Sequence, residues 1–152
     1  MMNDFLQAGY IISTDKSLLD INAIHQFLST DSYWAKNIPL TTVQKSIEGS
    51  FCFGMYHDHQ QVGFARVITD KATFGYLADV FIAEAHRGKG LSKWLMQTIM
   101  DHPELQEFRR WVLATKDAHA LYEQFGFEPL SNPERFMRFS TFDSYPAPAD
   151  NK

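Results

Sequence analysis

The stretch Val80–Met96 constrains this chain more than any other. An apolar run, Val80, Phe81 and Ile82, stops at Ala83-Glu84-Ala85, and a basic, glycine-spaced turn follows: His86-Arg87-Gly88-Lys89-Gly90. From Leu91 the apolar residues recur at 91, 94, 95 and 99, which is helical spacing. A strand that passes through two glycines into a helix aims several backbone N–H groups, and the positive end of a helix dipole, at one point. Such a point binds phosphate.

The rest of the chain limits what can surround that point. With 152 residues it is long enough for one domain with its own core. We expect a single domain over 1–144 and a flexible tail over 145–152, where prolines alternate with small residues. A formal charge of −4 argues against nucleic acid or an anionic membrane as partner, even with basic residues at 87, 89 and 93. The single cysteine, Cys52, lies in an apolar run, so no disulfide framework exists and the thiol reads as buried and structural. No stretch approaches a membrane span, and the N-terminus lacks the basic and apolar regions of a secretion signal, so the expected location is the cytoplasm. His57 and His59 share a turn with no third ligand in view, and no metal is expected.

Taken in order, Tyr10–Ser13 reads as a strand, and Ile21, Ile24 and Leu28 mark a helix capped by Asp20. Asp31, Tyr33 and Trp34 fall in a loop, and Thr41 to Gln44 has the spacing of a capping box that opens a second helix. Three antiparallel strands follow, at 51–56, 61–69 and 73–82, and then the glycine turn with its helix up to Pro103. Trp111–Ala114 is a further strand, Ala118–Phe125 a helix closed by Gly126, and Arg135–Phe139 a weak last edge strand. The expected fold is α+β: a mixed, mainly antiparallel sheet with helices on both faces. A ligand cleft would open where strands 73–82 and 111–114 splay apart.

Two familiar phosphate motifs do not fit. A P-loop needs four residues between its glycines and then Lys-Ser/Thr, and the dinucleotide fingerprint needs a third glycine where Lys93 stands. What the residues do resemble is the GNAT superfamily of acetyl-CoA-dependent N-acetyltransferases. Arg87-Gly88-Lys89-Gly90-Leu91-Ser92 after an apolar strand matches that family's pyrophosphate loop, and Ala120-Leu121-Tyr122-Glu123-Gln124-Phe125-Gly126-Phe127 follows some thirty residues on, as it does there. The likeness departs at Ala85, where the family pattern often has Gln or Arg, and at Ser92, where a glycine is common. It covers about 61–130 well, and the N-terminal third only through the order of elements.

The resemblance implies acetyl-CoA as co-substrate and an acyltransferase that moves acetyl to a primary amine of a small molecule or peptide, as a monomer or homodimer. The amine attacks the thioester directly, an oxyanion forms, and CoA thiolate leaves. Backbone N–H groups from Arg87 to Ser92 would cradle the pyrophosphate, with Leu91 opening the helix and Lys89 and Lys93 adding charge. Phe81 and Ile82 would pair with the pantetheine arm, and Thr115 would lie across the cleft at a position where many members have Asn. Tyr122 takes the place of the family's frequent general acid, since a phenol with pKa near 10 remains protonated at neutral pH. It shares a face with Leu121 and Phe125, so packing is the alternative.

Asp79, just before the pantetheine segment, is the candidate to take the amine's proton; Glu84 and His86 read as solvated loop. Asp31, Tyr33 and Trp34 form an aromatic and acidic candidate receptor for a cationic amine, or else plug a core beneath the loop. The rival to the enzyme is a non-catalytic acetyl-CoA sensor or interaction module built on the same fold. The residues do not name the amine.

Overall fold

The computed structural model describes residues 2–149. Ten principal elements follow one another: α1 (Met2–Gln7), β1 (Tyr10–Ser13), α2 (Ile21–Gln26), α3 (Leu40–Glu48), β2 (Phe51–His57), β3 (Gln60–Thr69), β4 (Phe74–Ile82), α4 (Leu91–Asp101), β5 (Arg110–Leu113) and α5 (His119–Glu123). The five strands form one sheet in the order β1-β2-β3-β4-β5. Every neighbouring pair is antiparallel except β4 with β5, which is parallel because α4 carries the chain across one face.

Local chemistry accounts for most of the boundaries. The Asp20 side chain accepts from the Ala23 N–H at 3.0 Å and caps α2, as its position suggests. The β2–β3 hairpin closes through Asp58 and His59, both at positive φ, the handedness that suits a right-twisted ribbon. Asp70 holds the β3–β4 turn by accepting from the Ala72 and Thr73 N–H groups at 2.9 and 2.8 Å. Gly126, at φ +93°, ends α5: its N–H reaches Glu123 O while the Phe127 N–H reaches Tyr122 O. That pair of bonds is a Schellman closure, which favours glycine at the left-handed position.

Two expectations are corrected, and one element was not anticipated. α3 starts at Leu40 with Pro39 as its N-cap and no side-chain cap, so Thr41 and Gln44 form no capping box. The segment expected as an edge strand, Arg135–Phe139, pairs with no strand among the described residues: a short 3₁₀ turn at Pro133–Arg135 leads into non-regular chain with Met137 97% and Phe139 90% exposed. α1 was not legible, being one and a half turns with too little periodicity to show. Of the expected tail, residues 150–152 lie outside the described residues; Tyr145 folds back against the core on the α2–α3 face.

Each sheet face buries its own core. On one, Phe53, Met55, Val67 and Leu77 meet Leu91, Leu95 and Ile99 of α4, and Phe5 of α1 stacks on Trp94 at 5.0 Å. On the other, Cys52 and Phe64 meet Ile24 and Leu28 of the α2 segment and Val43 and Ile47 of α3. Burial pushes the Cys52 thiol up to about 11, as befits an inert core sulfur. Gly54 sits under the Tyr56 ring, and a Cβ there would overlap the ring's Cζ at 2.7 Å. Gly54→Ala is therefore expected to cost about 1–3 kcal/mol of stability through overpacking. A denaturant midpoint that does not move would refute the clash.

Candidate active site

The sheet opens where β4 outruns its parallel partner. Their pairing runs from Phe74 opposite Arg110 to Leu77 opposite Leu113, and there β5 ends while β4 continues to Ile82. A second irregularity lies just beyond. Opposite β3 the register passes from Arg66–Ala78 to Phe64–Phe81, so Asp79 and Val80 together face Ala65 as a bulge. Asp79 takes φ +55°, a conformation uncommon for a residue with a side chain.

Side-chain bonds hold that bulge. Asp79 accepts from Trp34 Nε1 at 2.8 Å on one oxygen and from Arg66 Nε at 2.9 Å on the other. The Asp79 side chain is only 9% exposed and the Arg66 side chain 15%, so the pair is largely withdrawn from water. Tyr33, edge-on to Trp34 at 5.1 Å, accepts from the Lys116 N–H at 3.0 Å. The loop between α2 and α3 thus touches both lips of the opening, β4 through Trp34 and the segment after β5 through Tyr33.

Beyond Ile82 the chain makes a short 3₁₀ turn, Glu84–His86, and enters α4 through Gly88 at φ +77° and Gly90 at φ +82°. Both glycines are required by this backbone, since an L side chain adopts such φ values at a cost. A Cβ on Gly88 would meet nothing within 4 Å, so the turn surrounds open space. Gly90 caps α4 without any side-chain hydrogen bond, which leaves the first N–H groups of the helix available to a ligand. Arg87 turns back, its Nε donating to Ile82 O at 2.9 Å and pinning the turn to the end of β4. Behind the turn, Tyr10 Oη lies 2.7 Å from His86 Nδ1, and Lys89 Nζ donates to Tyr10 Oη at 3.5 Å. Burial, reinforced by His57 and the Lys89 ammonium, holds His86 below its ordinary value.

Two cavities meet at this place. One, of 460 Å³, runs along the glycine turn and is walled by Phe81, Ile82, Arg87, Gly88, Leu91 and Ser92 among others. The second, of 670 Å³, lies between α3 and the diverging strands and is walled by Thr42, Arg66, Tyr76, Asp79 and Lys116 among others. Six residues line both: Tyr33, Trp34, Val80, Asp117, Ala118 and Tyr122. Burial, with Tyr33 and Asp117 nearby, pushes the Tyr122 phenol up to about 12.

The expected site residues divide accordingly. Phe81, Ile82, Arg87, Gly88, Gly90, Leu91 and Ser92 wall the glycine-turn cavity, whereas Lys89 and Lys93 are absent from its walls and exposed. Thr115 lines the other cavity, where its Oγ accepts from the Ala118 N–H at 3.0 Å and steadies the start of α5. The expected trio parts: Asp31 stands on the glycine-turn side only, while Tyr33 and Trp34 stand at the junction. Sequence reasoning missed Arg66 and Asp117. Arg66 gave no signal, because its importance comes from a bulge partner on the next strand. Asp117 gave none either, because only the turn after β5 carries it to the junction of the two cavities. Among the described residues no three His, Cys, Asp or Glu are grouped to hold a metal, and no helix is long and apolar enough to cross a membrane.

Comparison with known proteins agrees with this architecture. A family model described as acetyltransferase (GNAT) family matches residues 21–127. A Gibberella zeae protein provisionally named an acetyltransferase is 32% identical over 139 residues, spanning 78% of each chain. A crystal structure from Xanthomonas campestris, described as belonging to the GNAT family, is 54% identical, with a TM-score of 0.85 over 87% of this chain and 93% of its own. A Clostridium acetobutylicum structure with acetyl-CoA shares the fold at a TM-score of 0.63 and 12% identity, over 86% of this chain and 94% of its own.

Proposed function

This chain belongs to the GNAT acetyltransferase family, and from that premise we propose that it transfers an acetyl group from acetyl-CoA to a primary amine. One observation carries the reading: a phosphate-suited cavity and a separate chamber meet at a neck that contains Tyr122 and the β4 bulge. A two-substrate transfer needs that plan, with each substrate entering from its own side and the reacting atoms meeting between them.

The glycine turn fits the co-substrate. Gly88 borders open space, and the uncapped N–H groups at the start of α4 suit a pyrophosphate. Phe81 and Ile82 would lie along the pantetheine arm. In the transfer the amine nitrogen bonds to the acetyl carbon, the C–S bond breaks, and the sulfur leaves with the electron pair. Tyr122, at the neck, supplies the proton that neutralises that sulfur. The backbone N–H of Val80, in the bulge, would polarise the carbonyl oxygen. We assign Asp79 to holding the bulge. A proton on either of its oxygens would cost the bond from Trp34 or leave Arg66 facing a neutral partner. The amine's proton passes instead to Asp117 or to water at the neck.

Thiol release measured with acetyl-CoA across amino acids, arylalkylamines, polyamines, aminoglycosides and peptide N-termini tests the reading. At least one class should be turned over. If acetyl-CoA binds but no amine releases CoA, the chain is a sensor rather than an enzyme.

A further inference from the structure

The charges on the acceptor-side chamber are not equally available. Its walls include two carboxylates, Asp79 and Asp117, and two cations, Arg66 and Lys116. Asp79 accepts two hydrogen bonds and is nearly buried, so it has little to offer an incoming ammonium. The Tyr33 ring, the aromatic face expected for a cation, already has Lys116 Nζ at 5.6 Å from its centroid. The donors are less committed. A guanidinium carries five N–H groups. Arg66 Nε donates to Asp79 and Nη1 to Ser50 Oγ at 3.1 Å, and among the described residues Nη2 has no acceptor. Thr42 and Tyr76 line the same chamber, and their hydroxyls also have no hydrogen-bond partner among the described residues. Toward the neck the balance reverses, because Asp117 lines both cavities beside Tyr122.

The chamber therefore presents donors and a partly satisfied guanidinium on its wall and a carboxylate at its neck. We propose that the acceptor is an amino carboxylate, a small molecule whose amine sits at the neck by Asp117 and Tyr122 while its carboxylate is held by Arg66. The proposal rests on the acetyltransferase reading and narrows it. A monoanion suits this wall better than a phosphate dianion, since the Asp79 carboxylate lies against the same guanidinium and repels the second charge. A polyamine suits it least, as Arg66 and Lys116 would face its further ammonium groups. Tyr33, Trp34, Tyr76 and Tyr145 add aromatic surface, so an amino acid with an apolar side chain has something to pack on.

The test uses acceptors that keep one skeleton and change the anion, with each rate referred to the neutral-amine fraction, plus one phosphate-bearing amine. Phenylalanine is set against its methyl ester and phenylethylamine, and lysine against cadaverine, with glucosamine 6-phosphate as the phosphate-bearing arm. With wild-type protein, kcat/KM for the carboxylate member should exceed its partners by about 10- to 100-fold, mostly through KM. Arg66→Gln should bring that ratio near one, and Arg66→Lys should keep part of it. Acetyl-CoA affinity, measured alongside, shows that each variant is folded, because Arg66 does not line the glycine-turn cavity. Esters or simple amines used as well as the acids would overturn the proposal while leaving the acetyltransferase reading intact. So would preferential use of the phosphate-bearing amine. No CoA release from any acceptor, with acetyl-CoA bound, would overturn both.

Discussion

Tyr122→Phe is expected to lower kcat by about 100-fold or more while acetyl-CoA affinity stays within about twofold. The change removes one oxygen and no ring. Phe127, edge-on to that ring at 6.0 Å, keeps its contact, and the ring still separates the two cavities. A packing role predicts the opposite pattern, with turnover almost unchanged. The pH profile supplies a second check. A phenol raised to about 12 remains protonated, and therefore able to donate, throughout the range in which enzymes are assayed. The neutral fraction of the amine rises with pH. The rate should accordingly climb toward the amine's own pKa and show no falling limb below about pH 11 that could be assigned to this residue. A descending limb near pH 8 that persists in Tyr122→Phe, with turnover almost unchanged, would assign the acid role to another group.

Gly90→Val is expected to weaken acetyl-CoA binding by at least about 100-fold, or ~2.8 kcal/mol. At φ +82° a β-branched residue is strained by about 1–2 kcal/mol, and the turn relieves that strain only by moving the N–H groups it presents. The Phe5 ring, 3.7 Å from where a Cβ would stand, limits the movement available on the α1 side. Unfolding stability should fall by much less than binding does. Gly49→Ala is the control, since φ there is −90° and the nearest atom, Lys45 O, is 3.8 Å away. Titration calorimetry showing Gly90→Val within threefold of wild type would end the cradle argument.

The glycine turn and α4 were legible because their signals are local: a φ requirement at two positions, and apolar residues at 91, 94, 95 and 99. Tyr122 was singled out through the family resemblance, and the structure sets it at the junction of the two cavities. What escaped notice depends on distant pairs. Trp34 and Asp79 are 45 residues apart, and Arg66 and Asp79 are 13 apart across a bulge. Alternation along a strand assumes an unbroken ladder, so it cannot announce the one place where two residues oppose one. It also mistook Arg135–Phe139 for a strand, because alternation describes the chain and not whether a neighbour is present to pair with it. The larger chamber is assembled almost wholly from such long-range contacts, and its chemistry became visible only with them.

The fastening of Trp34 to Asp79 links two properties that enzymes often vary separately. The indole belongs to the loop that fronts the larger chamber, and the carboxylate belongs to the bulge in β4 at the junction of the two cavities. Loosening one end frees the other. Substitutions that widen the chamber at Trp34 should thus broaden acceptor choice and slow turnover together, whereas changes at Thr42 or Tyr76 should shift choice alone. For this chain, drift toward a new acceptor is easier through α3 and the early part of β4 than through the loop that fronts the chamber.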